Sequence, residues 1–505
     1  MSKLAWKEID WTLVQIRLSR QQRRVYKASM EGKRHVVHAI QRRIIRSLDA
    51  KLLSVKCVTI ENRGKNIVGI DREKVLSHKN KIELAYGLSI SENLNNIRKN
   101  YLTRTKTKKK IFQPCAIIEI EDKAKQMLAK FALEPEWDAR FESNSFGFRS
   151  GRSSHDAIAS LIFSLRRKPQ FVLEAHIHES FNEINCDKLL AKMDTFAIMK
   201  KQIESWLKEN ILVDVKSESN EVTKILEGTF QKEIISPLLV NIILHGLENY
   251  IKDWYSRYYS LINYTSSERK AIIGFSRYAN SFVITAPTYT DMLEIEKVVR
   301  KWLIKETGLK LSKTKTKIVN STTGFKFLGF QIISIKLPHS GLYKVKIRPS
   351  KESKTQLIQC TRKIIQKNKS VSSYDLILLL SNKIIGWANY FNFGECQKDF
   401  SKMDHIIFKQ IRAWVFRRKS KGLCSREKLK EKYFPSRNTY IFRGVKYQSN
   451  WVLTGHISNN VQGKIKQNFL PKMSWVSSTK LIKINNNTSL DDKTLYRVPK
   501  ELQSI

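Results

Sequence analysis

The sequence predicts an α+β protein, and three features lead to that class. Apolar residues recur at helical spacing through the first 95 residues and again beyond about residue 350. Between those regions, short β-rich runs such as "QFVLEAHIHESF" and "GFSRYANSFVIT" alternate with helical ones. The length of 505 residues and the 41% hydrophobic content suffice for domains with true cores, about three by the usual size prior, so the 27% charged fraction belongs to the surface.

Taken in order, "LSRQQRRVYKASMEGKRHVVHAIQRRIIRSLDAKLL" sets Val25, Val37, Ile40, Ile44, Leu48 and Leu52 at helical intervals and leaves Arg20, Arg23, Arg24, Arg42 and Arg43 on other faces. "TRTKTKKK" reads as a charged loop. "KAKQMLAKFALEPEWDARF" is expected to be a helix interrupted at Pro135, and "SSHDAIASLIFSLRRK" a second helix capped by Ser153 or Ser154. "QFVLEAHIHESF" follows as a buried strand, and "ISPLLVNIILHGLENYIKDWY" as one long apolar helix from Ser236-Pro237. "GFSRYANSFVIT" is a hairpin with Asn280 and Ser281 at its turn, followed by the helix "DMLEIEKVVRKWLIKETGL" and the short strand "GFKFLGFQI". Beyond residue 350 three helical stretches mix cations with Trp387, Tyr390, Phe391, Trp414 and Phe416, either core rings or stacking surfaces for bases. The last 65 or so residues, around "IKINNNTSLDD", read as a small or loosely folded tail.

Ninety-two Lys and Arg against 46 Asp and Glu give a formal net charge of +46, which repels itself unless a polyanion neutralises it. Nucleic acid is the expected partner. No run of about 18 apolar residues suggests a membrane span, and the N-terminus "MSKLAWKEIDW" has neither a secretory core nor the acid-poor character of a transit peptide. Six cysteines lie scattered without a CxxC pair, which points to reduced thiols and away from zinc.

Several stretches together resemble the reverse transcriptase/maturases encoded by group II introns. "WKEIDW" and "QRRVYKAS" are similar to the N-terminal extension of that family, and "NRGKNIVGID" to its N-x-G-K segment. "FALEPEWDARFESNSFGFRSGRSSHDAI" resembles the fingers motif, and "GTFQKEIISPLLVNIILHGLE" the T-P-Q-G-G-V-I-S-P-L-L-A-N motif. "GLKLSKTKTKIVN" and "GFKFLGF" are similar to later palm motifs, and "IIGWANYF" to the maturase-specific domain X. The resemblance covers roughly residues 1 to 440. It implies a right-hand, reverse-transcriptase-like fingers and palm at 96–340, after a basic N-terminal extension at 1–95. A helical thumb and domain X at 345–440 and a C-terminal tail at 441–505 without a nuclease motif complete the expected organisation.

The departures fall on the chemistry. Polymerases of this kind hold two divalent ions between carboxylates from a strand and from a Y-A-D-D turn. Here the corresponding residues are His176, Asn280 and Ser281, none of them acidic. Glu174 shares a strand face with His176, but one carboxylate does not rebuild a two-metal site. The P-Q-G-G turn has become Phe230-Gln231-Lys232-Glu233, and "FQPCAIIEI" lacks the Arg and Gly of the family's R-P-L-G-I-P strand.

The resemblance and these losses imply a splicing maturase that binds group II intron RNA, with reverse transcription lost and no catalytic residue of its own. The protein is expected to bind no metal or other cofactor, Mg²⁺ belonging to the intron RNA, and no membrane; a homodimer is left open. Candidate RNA contacts are Arg23, Arg24, Lys65, Arg149, Arg152, Lys315, Arg412, Arg417, Arg418 and Lys419. The rivals are an active polymerase with unorthodox metal ligands and a general RNA-binding assembly protein. Abundant Lys, Asn and Ile suggest an A+T-rich genome, and with the missing transit signal favour an organelle-encoded protein of the plastid, with the mitochondrion or a bacterial cytoplasm as alternatives.

Overall fold

The computed structural model describes residues 6–61, 77–90, 120–166, 168–178, 184–214, 234–259, 265–339, 342–417, 426–458 and 465–478. "NRGKNIVGID", "TRTKTKKK", the turn Phe230 to Glu233 and nearly all of "FQPCAIIEI" lie outside them, as do Lys65, Arg418 and Lys419. The fold is α+β, and the described residues form two compact units.

In the first unit, 6–161 with 173–317, basic helices Trp11–Met30, Arg34–Arg46 and Leu48–Lys56 pack against helix Ile120–Arg140. Asp10 caps the first of them by accepting from the amides of Thr12 and Leu13. Val14, Leu18, Val25 and Ala28 face inward, so the arginines between them stay outside.

Helix Ile120–Arg140 runs straight through Pro135, against the expected interruption. A proline there has no amide proton for the carbonyl of Phe131. Gln22 supplies the missing donor, its Nε2 lying 3.1 Å from that oxygen. The replacement comes from a neighbouring helix, which the linear pattern does not show. The long apolar helix is also two, Ser236–Leu244 and Leu247–Tyr258, broken where Gly246 takes φ +95°. Ser153 is the cap of helix Ser154–Leu165, its hydroxyl accepting from the amide of Asp156.

The central sheet has the order β2-β3-β1-β4, with β1 Phe171–His176, β2 Gly274–Tyr278, β3 Ser281–Ala286 and β4 Lys317–Asn320. The β2-β3 hairpin closes with Tyr278 opposite Ser281, so its two loop residues are Ala279 and Asn280. The expected turn is therefore displaced by one position, and Ser281 is the first residue of β3. Ala279 has φ +57° and Asn280 does not share the positive sign, the pattern of a type II′ turn.

In the second unit, 162–172 with 318–478, an antiparallel sheet of β5 Phe325–Phe327, β6 Phe330–Lys336 and β7 Tyr343–Pro349 precedes the helices Lys351–Lys367, Ser373–Phe391 and Gln397–Phe416. The described part of the tail is folded. Hairpin β8-β9 (Asn438–Phe442, Val445–Ser449) and the pair β10-β11 (Thr454–Ser458, Ile465–Phe469) flank a small core of Tyr440, Val452 and Trp475.

Candidate functional site

His176 ends β1, and pairing with β3 brings its ring to Ser281: Nδ1 and Oγ are 2.7 Å apart. The amide of Ile177 donates to the carbonyl of Asn280 at 2.9 Å, so the three residues standing where the family has carboxylates share one small patch. If Ser281 donates its hydroxyl proton, the imidazole is a neutral ring protonated on Nε2; if the ring donates, the hydroxyl accepts. Neither arrangement presents an anionic oxygen.

Glu174, the nearest acid expected to help, is mostly buried and faces Lys317, whose Nζ lies 3.5 Å from Oε2. Among the described residues no group of three or more His, Cys, Asp and Glu side chains is placed to hold a metal ion. Mg²⁺ needs several hard oxygen ligands, and a two-ion centre needs shared carboxylates. His176, Asn280 and Ser281 do not fit that pair of ions, because none of them carries a carboxylate and the first and last are bonded to each other.

The hairpin that bears the patch is nevertheless strongly supported. The segment at 144–147 joins the free edge of β2: the amide of Arg277 donates to Asn144 O at 2.8 Å, and Phe146 donates to Arg277 O at 2.9 Å. Arg277 is fully buried, and its Nη1 donates to Asn241 Oδ1 at 2.9 Å; Asn241 Nδ2 in turn donates to Gly147 O at 2.7 Å. Burial lowers the pKa of Arg277 to about 10, opposed by Glu142 and Glu248, so it stays protonated at neutral pH. None of these supports uses Asn280 or Ser281 side chains. The shape of the turn is thus held by residues other than those that would bind metal.

The break before Gly246 puts His245 between the rings of Trp137 and Phe141, at 5.9 and 6.0 Å between centroids. Burial first, then Lys192, Arg140, Arg277 and Arg149, push its pKa down to about 4 from the ordinary 6.5. Lys192, itself lowered to about 8 by burial, donates to the carbonyls of Ile243 and His245 at the helix end. A neutral His245 is therefore part of the fold, and the unfolded chain takes up its proton first. His245 contributes stability that is complete above pH 6.5 and lost as pH falls toward 4, about 3 kcal/mol at most. Glu142, whose Oε2 is 3.8 Å away, has its pKa raised by burial and acts in the opposite sense. The expected result is that His245→Phe flattens the acid limb of stability against pH relative to the unmodified protein, measured by urea unfolding from pH 7 to 4. Parallel curves would assign the acid limb to other groups.

The sequence-derived RNA contacts separate by burial. Arg23, Arg24, Lys315, Arg412 and Arg417 are exposed. Arg152 is half-buried, and its pKa is lowered by burial and by Arg149. Arg149 is a correction: its side chain is 5% exposed, pairs with Asp138 at 2.7 Å, and donates to the carbonyls of Glu142, Ser145 and Asp138. It does not offer its guanidinium to a phosphate, because it is buried and four of its five N–H donors are taken up inside the fold. Of the aromatics beyond residue 350, Phe391 and Trp414 are buried, Tyr390 donates to Leu328 O, and Trp387 packs on Phe391. Those rings are core. The exposed ring that sequence reasoning missed is Trp451, which sits in the stretch read as tail and has no periodic pattern around it to flag it.

Residues 6–88 match the model of the N-terminal domain of reverse transcriptase, 98–332 that of reverse transcriptase (RNA-dependent DNA polymerase), and 355–434 that of the group II intron maturase-specific domain. Protein YkfC of Escherichia coli is 26% identical over 51% of this chain and 72% of its own length. Maturase-like protein 1 of Euglena gracilis is 24% identical over 74% of each chain. Group II intron-encoded protein LtrA of Lactococcus lactis is 24% identical over 65% of this chain and 66% of its own. The fold is reverse-transcriptase-like with a helical maturase region. Matched in order by three models along its length, the chain belongs to the family of group II intron-encoded reverse transcriptase/maturases.

Proposed function

We propose that this chain is a splicing maturase that binds a group II intron RNA and stabilises its active fold, with polymerase activity lost. The observation that carries this reading is the His176–Ser281 hydrogen bond in place of metal-binding carboxylates, on a hairpin whose supports are intact. Splicing chemistry then belongs to the RNA and its own Mg²⁺, and the protein contributes charge. Exposed Arg23, Arg24, Lys315, Arg412 and Arg417 are suited to phosphates where intron helices must pack together. The extension, fingers and palm, domain X and tail read from the sequence are the proposed working segments, and the plastid is the proposed compartment on composition.

Primer extension on an RNA template with Mg²⁺ or Mn²⁺ is expected to yield no product; product abolished by His176→Ala would establish the rival polymerase. Crosslinking in the native compartment is expected to enrich intron sequence, and uniform recovery of unrelated transcripts would favour a general RNA-binding protein. Arg412→Glu with Arg417→Glu is expected to weaken intron binding and to reduce the slope of log affinity against log salt by about 0.7–0.9 per lost contact. An unchanged slope would remove both residues from the interface.

A further inference from the structure

Between helix Gln397–Phe416 and helix Arg426–Tyr433 lies a cleft of about 540 Å³ bordered by Lys409, Arg412, Arg426, Lys430 and Trp451. Its one carboxylate is Glu427. Among the described residues none of the four cations forms an ion pair, whereas elsewhere in the same unit Lys344 and Lys346 meet Glu395, and Lys354 meets Asp399. Four unpaired cations around one hollow repel one another until an anion enters.

Trp451 gives the hollow an aromatic wall. It is 43% exposed, and among the described residues beyond 318 it is the one exposed aromatic ring. Its backbone sits at φ +65°, where a side chain other than glycine or asparagine is strained by about 1–3 kcal/mol. The preceding residues fix that conformation: Arg437 N donates to Asn450 Oδ1 at 2.7 Å, and Lys472 Nζ donates to Ser449 Oγ at 2.7 Å and Asn450 O at 3.1 Å. The ring packs on Phe408 at 5.3 Å and has Lys430 Nζ 4.6 Å from its centroid. A strained backbone, pinned through the two residues before it, thus holds an indole beside four cations and one carboxylate.

We propose that this cleft binds an unpaired nucleotide of RNA, with the base stacked on Trp451 and the adjoining phosphates held by Arg412, Arg426 and Lys430. An aromatic face accepts any base, and flanking cations hold the backbone; a duplex, its bases already stacked, cannot use the ring. The maturase reading enters only in taking RNA as the partner.

The test uses the full chain and a labelled single-stranded adenylate oligonucleotide, an abasic oligomer of equal length and an RNA duplex, read by fluorescence anisotropy. Trp451→Ala is expected to weaken the single strand by about 5- to 150-fold and the duplex by less than about twofold. Lys430→Glu is expected to weaken both. Trp451→Gly relieves the positive φ, and so reports the loss of the ring if the alanine variant fails to fold. With the unmodified protein, quenching of a 2-aminopurine base in the oligonucleotide reads stacking directly. The proposal is overturned if both substitutions leave single-strand affinity unchanged, if the abasic oligomer binds as tightly as adenylate, or if a polyglutamate peptide displaces the oligonucleotide equally well. Intron enrichment without dependence on Trp451 sinks the pocket alone; stacking without intron enrichment sinks the maturase reading alone.

Discussion

Arg149→Ala is expected to destabilise the protein by about 3–5 kcal/mol, the usual cost of removing one partner of a buried ion pair. The guanidinium is 5% exposed and its partner Asp138 is 14% exposed, so the substitution strands a carboxylate away from water. It also leaves the carbonyls of Glu142 and Ser145 without the donor that Nη1 supplies at 3.0 and 2.8 Å. Ser145 lies in the edge segment at 144–147 and Glu142 just before it, so the loss spreads to the hairpin. Urea unfolding followed by circular dichroism measures it, and Arg149→Lys, which cannot reach three acceptors with a planar fork, is expected to recover only part. If stability were intact and RNA affinity alone fell, Arg149 would return to the interface.

Gly147→Ala is expected to have a comparable effect for a steric reason. A Cβ at this position would lie 2.2 Å from Ala279 N and 3.0 Å from both Ala279 Cα and Tyr278 C. All three are backbone atoms of the hairpin tip and have no rotamer to yield. Relief requires the tip and the 144–147 segment to separate, breaking the bonds through Asn241 and Arg277. A cost at or above the upper end of the ~1–3 kcal/mol typical of overpacking follows. Gly386 is the control, since nothing lies within 4 Å of a Cβ there. It sits inside helix Ser373–Phe391, so Gly386→Ala is expected to stabilise by up to about 1 kcal/mol. Melting curves of the two variants should therefore shift in opposite directions, and a Gly147→Ala protein that melts with the unmodified one would refute the close approach.

Much of the architecture was legible because it depends on local signals. Helix faces in the N-terminal region follow from apolar spacing, and Val25, Val37, Ile40 and Ile44 are all buried as that spacing requires. The hairpin followed from two β-rich runs around a short polar tip, although its register was misjudged by one residue. Asn and Ser are better turn residues than Ala, and only the strand pairing shows Ala279 forced into the loop at positive φ. Pro135 and the apolar run from Ser236 differ from the sequence expectation for a related reason. A helix survives a proline when another helix donates to the freed carbonyl, and an apolar run breaks where a glycine turn aims a histidine into an aromatic slot.

By itself, the sequence determined the class of fold, the family and the absence of acids at positions 176, 280 and 281, because each depends on which residue occupies which place in an ordered series of motifs. The tertiary structure decided which charges face outward. Arg149 and Arg417 are both arginines in basic stretches, yet one satisfies four acceptor atoms inside the fold and the other is exposed. It also decided that, among the described residues beyond 318, the exposed aromatic ring is Trp451, in the supposed tail, and that the five aromatics of the basic helices pack inward to differing depths. Burial depends on what the rest of the chain brings alongside a residue, and that is a property of three dimensions that no spacing along one dimension encodes.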